Sequence, residues 1–442
     1  MPVTRRGFLA ATGVSTAAAV VLGRSSPQEA APSEKLKDDW GAVRAQFVLD
    51  PEWTHLGMFF LVSHPRPVRE AVEHFRRELD ANPLLTVEHA MFEPEFGRMP
   101  NRIKQSIASY IGGDREDVAL AGSTTEALSI VYQGLKLGAG DEILTTDHDH
   151  FVHHEAIRWA VERVGASWRR IPLFDTIDSV SKEQMAERIG RAIRPNTRAI
   201  GLTWVHSSSG LKTPLREIAA VVSRANRERP PSEKILLIVD GVHGLGADDP
   251  KVAATGIDFF CSGLHKWIMA PRGTGFIWGK PEAWARLRPT IPGFESGELF
   301  EAWFENAPPE GPPRASWFSY GGFHAFEHQW AIPTAFEFHQ SIGPERIWRR
   351  IEELNGAMKE GLSGMTHVTL QTPRAAELSA GIVCFEVDGM EPGQVVHRLM
   401  NKRILATASP YRISYARFSC GIMNTMEEVE RALAAVRELK TA

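Results

Sequence analysis

The sequence predicts an α/β protein: a large domain with a mostly parallel sheet and crossover helices, followed by a smaller C-terminal α+β domain. Three observations predict it. Short β-rich runs at 118–120, 142–145, 199–205, 235–239, 259–262 and 275–278 are followed by polar turns and helical patterns. The residues just past the carboxyl ends of these runs are unusually polar, and that is where parallel sheets collect ligands. From about Pro344 the pattern changes to helices around one strand at 380–387, closing on an amphipathic helix at 426–439. With 442 residues, 43% of them hydrophobic and 24% charged, the chain is long enough to bury the core of each domain. The expected limits are 38–330 for the large domain and 331–442 for the small one.

Composition narrows the classes of partner. The formal net charge is -4 and no Lys/Arg-rich stripe is present, so no nucleic-acid partner is expected. Three scattered cysteines, Cys261, Cys384 and Cys420, exclude a disulfide framework and a four-cysteine zinc site. Residues 1–37 read as an export signal and linker. Thr4-Arg5-Arg6-Gly7-Phe8-Leu9-Ala10 leads into an Ala/Val/Thr-rich stretch ending at Leu22, and this resembles a bacterial twin-arginine signal. The resemblance implies a role for the twin-arginine export machinery and a periplasmic or extracellular location. A membrane anchor is the competing reading, but the stretch is short for a span of ~20 residues and is broken by Gly13 and Ser15. From Trp40 onward no apolar run is long enough to span a bilayer, so no permanent membrane span is expected.

The strand ends carry the chemistry. After 118–120 comes Gly122-Ser123-Thr124-Thr125-Glu126, whose small hydroxyl residues at a helix N-terminus suit either an anion or an ordinary helix cap. After 235–239 comes Asp240-Gly241-Val242-His243, where a carboxylate could hold a protonated ring nitrogen and the imidazole a ring oxygen. After 259–261 comes Ser262-Gly263-Leu264-His265-Lys266-Trp267, followed by the Gly-rich Pro271-Arg272-Gly273-Thr274-Gly275. A lysine between a buried strand and such a turn can be desolvated into a nucleophilic amine. One such lysine alone could be a solvated surface residue; three sites in order on successive strand ends are not explained that way.

These motifs, with Arg417-Phe418-Ser419-Cys420-Gly421-Ile422-Met423-Asn424-Thr425 near the C-terminus, make the chain resemble the pyridoxal-phosphate enzymes of the class V aminotransferase family, over roughly residues 50–435. The branch it resembles is the one related to isopenicillin N epimerase. The resemblance implies the type I fold of pyridoxal-phosphate-dependent transferases, with 38–75 contributing to the active site and the small domain, and a homodimer. It implies that Lys266 joins the cofactor aldehyde, that Asp240 pairs with the pyridinium nitrogen and that His243 binds the ring oxygen. Thr124 and Thr125, with Ser262 and His265, match the phosphate cup. His150 matches the ring stacked on the cofactor face, His206 a polar group near the ring oxygen, and Arg417 the arginine that takes the substrate carboxylate. Arg412, His55 and His89 are candidates to meet a second acidic or polar group of the substrate.

Two departures matter. Where many relatives have Gly-Thr reaching the phosphate of the neighbouring subunit, this chain reads Ser319-Tyr320-Gly321-Gly322-Phe323, leaving backbone N–H groups at Gly322 for that role. The stretch 406–412 lacks the cysteine that the family's desulfurases need before the final arginine, so desulfurase activity is disfavoured. The reaction expected is transamination or epimerisation of an amino acid or derived metabolite, with oxygen-dependent deamination or decarboxylation as the alternative. A remote alternative is a metal-dependent hydrolase built on Asp147-His148-Asp149-His150-Phe151-Val152-His153-His154-Glu155, whose spacing is ligand-like; surface or cofactor-stacking histidines are the default reading, and no metal is assigned. A cofactor-retaining binder without turnover is disfavoured because Lys266, Asp240 and Arg417 are all retained. The aromatic segment 53–60 is read as either substrate entrance or core, Phe59 and Phe60 included.

Overall fold

A computed structural model describes residues 34–93, 98–293, 296–319 and 321–439. The twin-arginine segment and Tyr320 lie outside the described residues. The strands in chain order are β1 (Thr54–His55), β2 (Val118–Ala121), β3 (Glu142–Thr146), β4 (Ser167–Ile171), β5 (Thr197–Thr203), β6 (Leu236–Asp240), β7 (Phe259–Gly263) and β8 (Gly275–Gly279). Five more follow: β9 (Val368–Leu370), β10 (Val383–Val387), β11 (Ile404–Leu405), β12 (Thr407–Ala408) and β13 (Ala416–Phe418).

The large sheet runs β2-β8-β7-β6-β5-β3-β4. Pairing is parallel from β4 through β7 and antiparallel where β8 inserts between β7 and β2. The expected mostly parallel sheet is present. Its central strands are buried, β6 and β7 along their whole length and β5 at every position but Arg198, as a parallel sheet covered on both faces requires. Alternation decides the faces. Leu237, Val239, Phe260 and Phe276 enter one core with Ile103, Ile107 and Ile218, while Leu236, Ile238, Phe259 and Ile277 enter the opposite core with Leu128, Val131 and Ile157. Helices therefore cover both faces. Edge strand β4, reading Ser-Trp-Arg-Arg-Ile, is the one strand of this sheet with no counterpart among the β-rich runs of the sequence. It lies at the rim with half-exposed side chains, so its composition is polar and gives no apolar run to detect.

The second sheet, β12-β13-β10-β9, is antiparallel and encloses its own core of Val383, Phe385, Phe418, Leu354 and Val429. Helices Pro344–Ser363 and Met426–Arg437 pack on it. Between the two sheets runs the helix Ile332–Ile342, whose Ile332, Ala335 and Phe336 belong to the large-sheet core. The N-terminal segment bridges them. β1 pairs in parallel with β11, Arg44 pairs with Glu428, and Asn424 donates to the His55 carbonyl at 2.9 Å. Val43, Phe47, Met58 and Phe59 share a core with Trp267 and Cys384. This clamp brings Phe59 and Arg417 to the carboxyl ends of β5, β6 and β7.

Candidate active site

Asp240 is the last residue of β6, and the chain turns away from the strand at Gly241. A Cβ at Gly241 would lie 1.9 Å from the Phe260 ring, so the turn tolerates no side chain. That tight turn delivers His243 back to the strand end. Asp240 is 4% exposed and one of its oxygens accepts the Val242 N–H at 3.1 Å. Burial pushes its pKa up, against that hydrogen bond and the Lys266 charge. Lys266 lies just past β7 with Nζ 3.0 Å from His243 Nε2. Burial drives the Lys266 pKa down, with Asp240 opposing and Arg417 adding to the effect. His243 is held far below the usual imidazole range by burial, then by Lys266 and Arg417, so its ring is neutral. Its Nδ1 is buried with no partner among the described residues.

The ends of β2, β7 and β8 meet beside this group. Ser123 caps the helix Thr124–Gly134 by accepting the Glu126 N–H, while Thr124 Oγ1 accepts the Gly263 N–H at 2.7 Å. The capping reading of the motif thus holds for Ser123, and the Thr124 hydroxyl ties the helix start to β7. A Cβ on Gly263 would lie 2.9 Å from His265 and 3.2 Å from Thr124 Oγ1, and one on Gly275 would lie 2.9 Å from the Ser262 carbonyl. Ser262 is fully buried, and burial beside Lys266 lowers His265 to about 4. Thr125 is exposed at the helix start.

The histidine-rich stretch after β3 divides its work. His150 caps the helix Phe151–Glu162, with Nδ1 accepting the Val152 N–H, and burial followed by Lys266 and Arg417 lowers it to about 4. Asp149 is buried and accepts from the hydroxyls of Thr145 and Thr146 and from the amides of Thr146 and Thr203. Burial alone would raise it; His153, His206, Thr203 and Thr146 hold it down to about 2. His153 bonds Tyr132 at 2.6 Å, His154 bonds the Thr146 carbonyl, Glu155 pairs with Arg158, and His148 stacks on Phe174. Each side chain thus has its own neighbour, and no set of them converges on one point.

Arg417 comes from β13 of the small sheet. It is 4% exposed and donates to the Ser207 carbonyl, the Ala408 carbonyl and Thr407 Oγ1, with its guanidinium 4.5 Å over the Phe59 ring. No carboxylate pairs with it among the described residues. It is Ser207, and not its neighbour His206, that faces the small sheet: His206 turns back onto Thr213 at 3.2 Å and stacks on His148. Ser207 Oγ bonds the Tyr411 hydroxyl at 2.6 Å, and the Tyr411 ring stands edge-on to His150 at 5.9 Å. The structure thus gathers Lys266, Asp240, His243, His265, His150 and Arg417 in one site. His55 donates to the Asp50 carbonyl, Arg412 is exposed, and Gly322 sits at φ 92° in an exposed turn. Ser319 is buried and accepts the Leu120 N–H, so its hydroxyl serves β2. Of the aromatic segment, Phe59 is buried under Arg417 and Phe60 is exposed.

Comparison with known proteins follows from this geometry. A family model described as aminotransferase class-V matches residues 63–432. The chain belongs to the aminotransferase class-V family. It is similar to an isopenicillin N epimerase of Streptomyces clavuligerus, 29% identical over 420 residues that cover 91% of this chain and 98% of that one. It is also similar to a probable cysteine desulfurase of Vibrio cholerae, 23% identical over 425 residues covering 90% and 97%. A solved structure of a C-DES mutant, with glycine covalently linked to its pyridoxal-phosphate cofactor, shares the fold at a TM-score of 0.78. That match has 22% identity and covers 89% of this chain and 99% of that one. Class V membership makes this chain a pyridoxal-phosphate-dependent enzyme, and the residues present fit that group. Asp240 is a buried carboxylate with no ion pair among the described residues, and His243 Nδ1 is a buried polar atom with no hydrogen-bond partner among them.

Three features of the site escaped sequence reasoning. Asp149 was legible only as a potential metal ligand, Ser207 sat beside a more conspicuous histidine, and Tyr411 lies in a loop with no motif. The cysteines bear on the family's chemistry. All three are buried, and burial pushes the thiols up, Cys384 and Cys420 to about 12. The folded protein should therefore release no signal with an aromatic disulfide reagent near neutral pH, and all three thiols should react after unfolding in denaturant. A rapidly reacting thiol in the native state would contradict this placement.

Proposed function

We propose that this class V enzyme acts at the amino-bearing carbon of an amino acid or amino-acid-derived metabolite, as a transaminase or epimerase. One observation carries the reading. A buried guanidinium with no carboxylate partner among the described residues shares its surroundings with a desolvated lysine amine, so a carboxylate and an amine-bearing carbon are accommodated side by side. The likeness to proteins named isopenicillin N epimerase supports the same class of substrate.

Lys266, Asp240, His243, Ser262, His265, Thr124 and His150 would hold pyridoxal phosphate. When bound, the group supplies a ring that stabilises negative charge at the amino-bearing carbon. Asp240 would keep a ring nitrogen protonated, because a buried carboxylate whose nearby cation is a lysine shifted toward its neutral form gains from a cationic N–H. Lys266, shifted toward its neutral form, takes the Cα proton at Nζ, and neutral His243 at 3.0 Å accepts from that amine and orients it. A guanidinium has five N–H donors, and three protein acceptors engage Arg417. Two donors remain for a carboxylate. Phe59 lies against the guanidinium, and His150 would cover the ring face. A proton returned to Cα by Lys266 Nζ restores the original configuration; inversion takes a solvent-derived proton on the opposite face, and protonation at a carbon other than Cα gives transamination. The buried cysteines offer no accessible thiol for a desulfurase step.

The test is an absorbance scan of the purified holoenzyme and Lys266→Ala with a panel of amino acids, in heavy water, under air and under nitrogen. A yellow band that some amino acids shift, lost in the variant, with Cα deuteration or keto acid formed without oxygen, is the expected result. Arg417→Ala should lower kcat/KM on the order of 100-fold or more, since the partner carboxylate would be left unpaired. A colourless protein that cannot be reconstituted would overturn the cofactor assignment, and turnover confined to air would replace this reaction with the oxidative one.

Export by the twin-arginine route and a homodimer complete the proposal. Arg5-Arg6 and the apolar stretch after it support export. Phe60, Phe151, Phe323 and Ile413, large apolar side chains that are exposed in the single chain, support burial against a second copy. Cell fractionation with sizing should recover a periplasmic dimer, and a double Arg5→Lys, Arg6→Lys variant should stay in the cytoplasm; unchanged export of that variant or a monomeric holoenzyme would refute the respective part.

A further inference from the structure

Among the described residues, Tyr411 is the aromatic hydroxyl of the small-sheet side that bonds Ser207 beside Arg417. It lies in the 409–415 loop between β12 and β13. That loop is internally fixed, because Ser409 N–H donates to the Tyr415 carbonyl, Tyr415 N–H to Ser409 Oγ, and Ser414 Oγ to the Ser409 carbonyl. The loop presents the Tyr411 hydroxyl across the seam to Ser207, at 2.6 Å, on a residue of the large-sheet side. The same Ser207 accepts Arg417 through its carbonyl at 2.7 Å, and the Tyr411 ring meets the edge of His150 at 5.9 Å and 81°. The hydroxyl thus shares Ser207 with the guanidinium, and its ring adjoins the ring expected to cover the cofactor.

We propose that Tyr411 is a substrate-binding residue: its hydroxyl exchanges Ser207 for the carboxylate held on Arg417 and so adds a third donor to the two free guanidinium N–H groups. This rests on the reading of Arg417 given above. The exchange is favoured because the Tyr411–Ser207 bond joins two neutral hydroxyls, whereas a phenol donating to a carboxylate makes a charge-assisted bond roughly twice as strong. Burial pushes the Tyr411 pKa up to about 12, so the hydroxyl keeps its proton and remains a donor throughout the working pH range. Ser207 loses little, since a serine hydroxyl rotates to another acceptor.

The experiment compares holoenzyme of wild type, Tyr411→Phe, Ser207→Ala and Arg417→Ala. Three probes are used: propionate, which has a carboxylate and no amine; ethylamine, which has an amine and no carboxylate; and L-alanine. Calorimetry reads propionate, and the shift of the cofactor band reads ethylamine and L-alanine. Tyr411→Phe should retain cofactor and circular dichroism, weaken propionate and L-alanine roughly tenfold, and leave ethylamine unchanged. Ser207→Ala should not weaken propionate, because it removes the competing partner and keeps the carbonyl that holds Arg417. If the hydroxyl pair merely ties the two sheets together, both variants weaken all three probes alike, and the proposal fails. It fails too if Tyr411→Phe changes nothing. Loss of propionate binding in Tyr411→Phe but not in Arg417→Ala would overturn the carboxylate role of Arg417 instead, and a wild type that binds no propionate would overturn both.

Discussion

Two cationic side chains, Lys266 and Arg417, are buried within electrostatic reach of each other, and Asp240 is the carboxylate that favours the charged form of Lys266. The rest of the site follows from that arrangement. Burying two like charges disfavours both being charged, and lysine can relieve the strain where arginine cannot, by giving up its proton. Arg417 keeps its charge and the need for an anion; Lys266 shifts toward the free amine. The same desolvation keeps His243, His150 and His265 neutral, so the site holds one durable cation, one base and three uncharged imidazoles.

The parallel sheet explains why these groups meet. β5, β6 and β7 run side by side in one direction, so whatever follows their carboxyl ends falls on one rim. Ser207 follows β5, Asp240 ends β6 and Lys266 follows β7. Gly241 permits the turn that returns His243 to Lys266, because Phe260 fills the space a side chain would need. The fourth wall comes from far along the chain. Arg417 and Tyr411 enter from the small sheet, and the pairing of β1 with β11 carries Phe59 beneath the guanidinium. The Asp149 cluster braces this rim from behind: it fixes the amide of Thr203 at the end of β5 and the turn after β3 that positions His150.

The sequence made legible those parts of the fold whose determinants are local. Strands β2, β3, β5, β6, β7 and β8 are apolar runs ending in polar turns, and their order along the chain placed Thr124, Asp240, His243 and Lys266 on strand ends. β4 was not legible, because an edge strand with Arg169 and Arg170 on half-exposed positions has no apolar signature. The histidine cluster was misleading for the opposite reason. Spacing puts His148, His150, His153 and His154 close in sequence, but a turn and the start of a helix send them to Phe174, Tyr411, Tyr132 and Thr146. The partnership of Ser207 with Tyr411 spans 204 residues, and nothing in either local sequence points to it. His206 drew attention through its chemistry, while the neighbouring serine is the one directed across the seam.

The central claim is that burial lowers the Lys266 pKa and eases loss of its proton, while Asp240 opposes that shift. It is tested most directly by the titration of Lys266 Nζ in the cofactor-free protein, followed by NMR with isotope-labelled lysine and assigned by the signal missing in Lys266→Met. The predicted midpoint lies well below the ordinary lysine value of 10.5. In Asp240→Asn it falls further, because the carboxylate that favours the ammonium is gone. A midpoint at or above the ordinary value, or one that rises when Asp240 is neutralised, would contradict the account.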